Sequence, residues 1–283
     1  MTIPFRKMHG LGNDFIVFDE RSGTLGLTAA DAIRLADRHT GIGADTIVLL
    51  RQPEGPDADV SVRFINADGG EIATCGNASR CVAMLLFAET GRGRVRLGTN
   101  AGVLDAWADG ALIAVDMGRP RLAWNEIPVA AEMDTLSLPP TGALAGAVGV
   151  NMGNPHAVFF VPDAEAVDVA ELGSIVEVHP LFPERTNVEF ATVQSPGRIR
   201  MRVWERGAGI TQACGSGACA TLVAAARRGL TGRKATLAMD GGELTIEWRD
   251  DDHVIMTGPA ALAFTGSIDD SVLTSQAPRA AAA

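Results

Sequence analysis

Two cysteines in matched settings constrain this chain more than any other feature. In the first half, Cys75-Gly-Asn-Ala-Ser-Arg-Cys81 opens an apolar helical run that stops near Gly91. In the second, Cys214-Gly-Ser-Gly-Ala-Cys219 opens another that stops near Gly229. The Cys-to-Gly spacings are sixteen and fifteen residues. Each cysteine follows a predicted strand and a short polar loop: Val62–Asn66 then Ala67–Thr74, and Ile199–Trp204 then Glu205–Ala213. Repeated local grammar of this kind indicates a duplicated unit. It predicts an α+β fold of two pseudo-symmetric domains, each wrapping strands around one central helix.

The remaining periodicity agrees. Phe15–Phe18, Thr46–Leu50, Val60–Ile65, Val95–Gly98, Val103–Trp107 and Leu112–Asp116 read as strands, bounded by Gly, Asp and Asn. Thr28–Asp37 and Asn77–Glu89 read as helices. In the second half Gly149–Val161 holds a strand. Asn187–Val193, Arg198–Trp204, Ala235–Met239, Glu243–Trp248 and His253–Thr257 are further strands, and Gly217–Arg228 is an Ala-rich helix. The expected domains are residues 1–118 with 265–275, carrying Cys75, and 119–264, carrying Cys214. Residues 276–283 read as a disordered tail.

Composition narrows the chemistry. The 283 residues carry a net charge of −10, with 24 basic and 34 acidic side chains, 47% hydrophobic and 5% aromatic residues. Nucleic acid is not expected as a partner. The densest basic run, Arg92–Arg96, holds only three arginines, and few aromatics are available for stacking on bases. No signal-peptide core and no apolar stretch of membrane-spanning length is visible. The expectation is a cytoplasmic protein with reduced thiols. Four cysteines are too sparse for a disulfide framework.

A thiol at a helix N-terminus meets unpaired N–H groups and the positive end of the macrodipole, which favour the thiolate. Cys75 and Cys214 stand there, whereas Cys81 and Cys219 fall inside the helices as core thiols. One reactive cysteine per domain suits a two-base reaction at a carbon centre. One group removes a proton from one face and the other delivers a proton to the opposite face. The same N–H groups offer donors to a substrate carboxylate. Other chemistries fit less well. Zinc sites favour C-x2–4-C pairs, and four cysteines wound into two helices are poorly placed to converge on one ion; a redox dithiol favours C-x-x-C, and a papain-like nucleophile leaves the duplication unexplained. Only Lys7 and Lys234 are available for a pyridoxal Schiff base, and neither lies in a cysteine motif.

The motifs Met8–Phe15, His39–Asp45, Asn66–Gly69 with Cys75–Asn77, Gly153–His156, Glu184–Asn187 and Trp204–Gly209 with Ala213–Cys219 occur in order. In this, the chain resembles the diaminopimelate epimerase family over about Phe5–Ser267. The resemblance implies interconversion of LL- and meso-diaminopimelate, in lysine and peptidoglycan precursor biosynthesis. It implies strongly curved, mostly antiparallel, barrel-like sheets with the active site in the interdomain cleft. No pyridoxal phosphate and no metal is implied; the partners are a small amino-acid substrate and a second copy of the chain as a homodimer.

Residue by residue, the resemblance makes Cys75 and Cys214 the acid–base pair. Gly76, Asn77, Gly215 and Ser216 offer amides to the reacting carboxylate. Asn13, Thr46, Asn66, Asn154 and Asn187 line the pocket. Glu205 meets a substrate ammonium and Arg206 the distal carboxylate, while His156 and Glu205 tune the thiols. Three positions depart from the family pattern: Thr46 replaces a usual Gln, Ala78 a usual Gly, and Ser216 a commoner Thr. They bear on substrate choice rather than on the chemistry. A racemase of the same fold acting on proline, hydroxyproline or histidine is the alternative reading.

Overall fold

In a computed structural model describing residues 2–273, both cysteine helices form, each packed on strands of its own half. The first ten elements are β1 Thr2–Gly10, β2 Asn13–Asp19, α1 Ala29–Ala36, β3 Thr46–Arg51, β4 Val60–Asn66, β5 Glu71–Ile72, α2 Gly76–Thr90, β6 Arg94–Thr99, β7 Gly102–Asp109 and β8 Leu112–Asp116. The next ten repeat the order: β9 Val148–Asn151, β10 Pro155–Phe160, α3 Val169–Glu177, β11 Asn187–Ser195, β12 Arg198–Glu205, β13 Gly209–Ile210, α4 Gly215–Arg227, β14 Lys234–Met239, β15 Gly242–Trp248 and β16 Val254–Gly258. A last strand, β17 Ala261–Asp269, returns to pair antiparallel with β1.

The pairings repeat as well. β2–β3 and β10–β11 are parallel, with Phe15 opposite Thr46 and His156 opposite Asn187. β3–β4 and β11–β12 are antiparallel; β4–β6 and β12–β14 are parallel. The fold is therefore α+β with two topologically equivalent units, and each half places its cysteine just after its fifth strand.

Among the described residues the chain divides into one compact unit of residues 2–10, 14–106 and 260–273, and a second of Leu11–Asn13 and Trp107–Pro259. These crossings differ from the sequence expectation of 118/119 and 264/265. The physical reason is pairing: β8 lies antiparallel to β16, so residues 112–116 belong with the second unit. The tail expected at 276–283 lies outside the described residues.

Helix ends follow local chemistry. Thr28 and Asp31 form a reciprocal capping box at α1. Gly91 ends α2 at φ +67°, a left-handed cap that glycine adopts without strain. α4 is buried nearly all round, and its Gly and Ala residues make it a thin cylinder. It touches β9, β10, β11, β12, β14, β15 and β16, so the strands of the second unit surround it. α2 buries Ala78, Cys81, Val82, Ala83, Leu85 and Leu86 and packs on β1 and β6. Each fully buried large aliphatic side chain contributes about 1.5–3 kcal/mol.

Several elements differ from the sequence reading. Gly149–Val161 holds two strands, because Gly153 at φ +98° turns the chain between β9 and β10. β1 and β17 emerge as paired strands, β1 carrying a bulge between Lys7 and Met8. α3 was not expected. It seats Gly173 against Trp204, where an added Cβ would come within 2.4 Å of the Trp204 Cβ.

Candidate active site

In the first unit, β4 and the short β5 deliver the chain to Cys75. Its extended backbone, φ −142° and ψ 106°, makes it the N-cap of α2. The Cys75 carbonyl accepts both the backbone N–H and the hydroxyl of Ser79, at 2.9 Å each. A helix start leaves N–H groups without intrahelical acceptors, and these favour an anion. Gly76 and Asn77 are buried there. Arg80 donates to Asn77 Oδ1 at 3.0 Å from a fully buried position, and a Cβ on Gly10 would fall 2.9 Å from Arg80 Nη2. Ala78 is buried and helical, with no positive φ, so its methyl group meets no backbone strain. Thr46 on β3 faces Asn66 on β4 across a long 3.4 Å contact. Cys81 lies inside the helix, and burial pushes its thiol up to about 12, as expected of a core cysteine.

In the second unit the charge is denser. Cys214 caps α4, accepting from the Gly217 N–H at 3.4 Å, with the Ser216 hydroxyl 3.6 Å away. Glu205, at the end of β12, is half-buried, accepts a hydrogen bond from the Thr211 hydroxyl and shares one with Cys214. Burial pushes the Glu205 carboxyl up, against those hydrogen bonds. His156 on β10 places Nδ1 2.6 Å from Glu189 Oε1 and Nε2 2.9 Å from Asn154 Oδ1. Asn187 donates to the Pro155 carbonyl at 2.8 Å and accepts from the Arg206 N–H at 2.9 Å. The Arg206 guanidinium donates to the Glu184 carbonyl at 3.0 Å. Glu177 of α3 completes the scaffold, accepting from Trp204 Nε1 at 2.7 Å and the Gly207 N–H at 3.0 Å.

The electrostatics correct one expectation. The helix terminus was expected to lower the thiols, yet Cys214 is pushed well above an ordinary thiol. Desolvation dominates, Glu205 and Glu189 add like-charge repulsion, and the Ser216 and Gly217 hydrogen bonds offset only part of this. This environment favours the Cys214 thiol over its thiolate.

Within the second unit, therefore, Asn154, His156, Asn187, Glu205, Arg206, Cys214, Gly215 and Ser216 are held by one connected set of strand ends and the mouth of α4. Within the first, Cys75, Gly76 and Asn77 form the mouth of α2, and Thr46 pairs with Asn66. Asn13 opens β2 from a turn that belongs to the second unit. Sequence reasoning missed Glu189 and Thr211. A charged residue inside the apolar run Val188–Ala191 is the signal that marks Glu189. None of the four cysteines is in a disulfide. Among the described residues no cluster of three or more His, Cys, Asp or Glu is arranged to hold a metal ion, and no helix is long and apolar enough to cross a membrane.

Comparison with known proteins gives consistent results. The family profile described as diaminopimelate epimerase matches residues 5–123 and 148–263. The diaminopimelate epimerase of Rhodospirillum centenum is 58% identical over 281 residues, covering 98% of this chain and 96% of the other. That of Acidiphilium cryptum is 53% identical, covering 95% and 98%. Among solved structures, a hydroxyproline epimerase from Agrobacterium vitis matches with a TM-score of 0.71 at 15% identity, over 94% of this chain and 92% of that one. A methylitaconate-delta-isomerase matches with a TM-score of 0.62 at 13% identity, over 99% and 98%. At such identities these two share the fold alone.

Proposed function

Because the chain belongs to the diaminopimelate epimerase family, a family of isomerases, we propose that it interconverts LL- and meso-2,6-diaminopimelate by a two-thiol mechanism. The observation that carries this reading is the duplicated one: each unit ends a strand-and-loop segment in a cysteine that caps its own buried helix.

The steps follow from the residues. One cysteine, as thiolate, takes the α-proton. The other, as thiol, gives a proton to the opposite face of the same carbon. No net proton is gained, and the two cysteines exchange protonation states. Removing an α-proton puts charge on the carboxylate, and the amides of Gly76 and Asn77 or of Gly215 and Ser216 stabilise it most in the transition state. With Glu205 and Glu189 beside it, Cys214 starts as the thiol and delivers the proton; in the reverse direction it is the base. The Arg206 guanidinium offers a planar fork to the distal carboxylate, with Asn154 and Asn187 alongside. Asn13, Thr46 and Asn66 line the substrate. Thr46 reaches less far than the Gln usual in the family, so a water between it and the substrate fits the shorter side chain. The chemistry asks for neither pyridoxal phosphate nor metal. A cytoplasmic homodimer acting in lysine and peptidoglycan precursor biosynthesis completes the proposal.

The test is exchange of the substrate α-hydrogen in deuterated water without added cofactor. The panel is diaminopimelate, proline, 4-hydroxyproline and histidine. Exchange is expected with diaminopimelate alone. Cys75→Ala and Cys214→Ala are each expected to lose at least about 10³-fold in turnover with their circular dichroism spectra intact. Wild-type turnover in either variant refutes the acid–base pair, and exchange of another panel member in preference reassigns the substrate.

A further inference from the structure

Glu189 is assigned no contact with substrate in the steps above, yet it is a fully buried carboxyl group beside Cys214 with one oxygen unpaired. It sits in β11 between Val188 and Phe190 with zero exposure. Its Oε1 meets His156 Nδ1 at 2.6 Å, and that histidine is also fully buried. Its Oε2 has no hydrogen-bond partner among the described residues. A buried carboxylate oxygen left unpaired costs free energy, so an account built only on stability favours an apolar side chain here.

Position supplies a different account. A Cβ added to Gly217 would fall 2.7 Å from Glu189 Oε1 and 3.3 Å from Cys214 Sγ, so carboxylate and thiol flank the same point of α4. The groups facing Cys214 are Glu205 on β12, Glu189 on β11, and the Ser216 hydroxyl and Gly217 N–H on α4 itself. His156 on β10 is clamped between Glu189 and Asn154, and its field reaches Glu205. Glu189 thus fixes the imidazole ring and sets part of the potential at the thiol.

We infer that Glu189 is a positioning residue for the Cys214 half of the reaction. It holds His156 in register through Oε1 and keeps a negative charge beside Cys214, favouring the thiol that donates the proton. The inference rests on the two-thiol reading above.

Glu189→Gln keeps the shape and removes the charge; Glu189→Asp keeps the charge and withdraws it by one methylene. The readouts are kcat, KM, the pH profile of kcat/KM with diaminopimelate, and the thermal midpoint. Glu189→Gln is expected to lower kcat by roughly tenfold or more, the size seen when a carboxylate behind a metal-bound histidine is removed. KM should stay within about threefold, since Glu189 is not among the residues assigned to the substrate. Without the like charge the thiolate is easier to form, so the kcat/KM profile, whose midpoints belong to the cysteine pair, moves to lower pH by about half a unit or more. Glu189→Asp is expected to lower kcat by less and keep the wild-type profile. Wild-type kcat and profile in Glu189→Gln overturn the inference, as does a loss of activity matching the loss of folded protein. If Glu189→Gln does not fold, Glu189→Asp decides: a wild-type kcat there overturns it. Cys214→Ala run in parallel separates the two failures. Turnover in that variant refutes the two-thiol reading itself, whereas an inactive Cys214→Ala beside an unperturbed Glu189→Gln refutes the role of Glu189 alone.

Discussion

Asp14 and Asp45 come from two different motifs, and in the folded chain they bind each other. The Asp14 N–H donates to Asp45 Oδ2 at 3.1 Å, the Asp45 N–H donates to Asp14 Oδ1 at 3.0 Å, and Arg38 reaches both carboxylates. Lys7, nearly buried on β1, pairs with Asp14 at 2.7 Å and donates to the Gly43 carbonyl. Burial pushes the Asp14 carboxyl up, but the Arg38 and Lys7 hydrogen bonds outweigh it and hold the carboxyl well below the usual range. A depressed carboxyl stabilises the folded state above its ordinary titration and loses that contribution as the pH falls. Asp14→Asn is therefore expected to cost about 2–3 kcal/mol in urea unfolding near neutral pH, partly by stranding Lys7. The deficit relative to wild type should shrink as the pH drops below about 4. A pH-independent deficit would refute the ionic account. From the sequence, these motifs were legible as parts of a family pattern. That Asp14 and Asp45 lock the two motifs to each other was not.

Among the elements, the ones that carry the cysteines were the most legible. α2 and α4 announce themselves by apolar runs closed by glycine, and the observed Gly76–Thr90 and Gly215–Arg227 lie within two residues of expectation at each end. β1 was hidden because Arg6, Lys7 and His9 interrupt its alternation. β17 was hidden because its side chains are largely exposed, so burial imposes no period on it. α3 was hidden because its packing is long-range: Gly173 leaves room for Trp204, and Glu177 binds the Trp204 indole. Gly173→Ala tests that contact. Alanine favours an isolated helix by about 1 kcal/mol, but here the added methyl overlaps Trp204. The expected result is a net loss of about 1–3 kcal/mol with helical circular dichroism retained; a gain in stability would mean that α3 is not held against β12 through this residue.

For the whole molecule, neither unit is one continuous segment. The second unit includes the turn Leu11–Asn13, far from Trp107–Pro259 in sequence. Leu11 takes φ +59°, and a Cβ on Gly241 would fall 1.9 Å from its carbonyl oxygen, so turn and glycine fit only as they are. A fragment of residues 107–259 expressed alone keeps α4 and its strands but lacks this turn. It is expected to unfold at lower urea than the same unit in the full chain, followed by the fluorescence of Trp204 and its neighbours. Equal midpoints would make the turn dispensable.

The sequence by itself determined the duplication, the two cysteine helices, the α+β class and the family. All of these rest on local pattern: helical runs with glycine stops, strand alternation, and ordered motifs. Only the tertiary structure decided where the chain crosses between units, because that depends on β8 pairing with β16 across more than a hundred residues. Only it reversed the expected direction of the Cys214 thiol. A helix N-terminus is written in the sequence, but desolvation and the approach of Glu205 and Glu189 depend on how β11, β12 and α4 pack. Electrostatic energy follows distance in space and burial, neither of which spacing along the chain records.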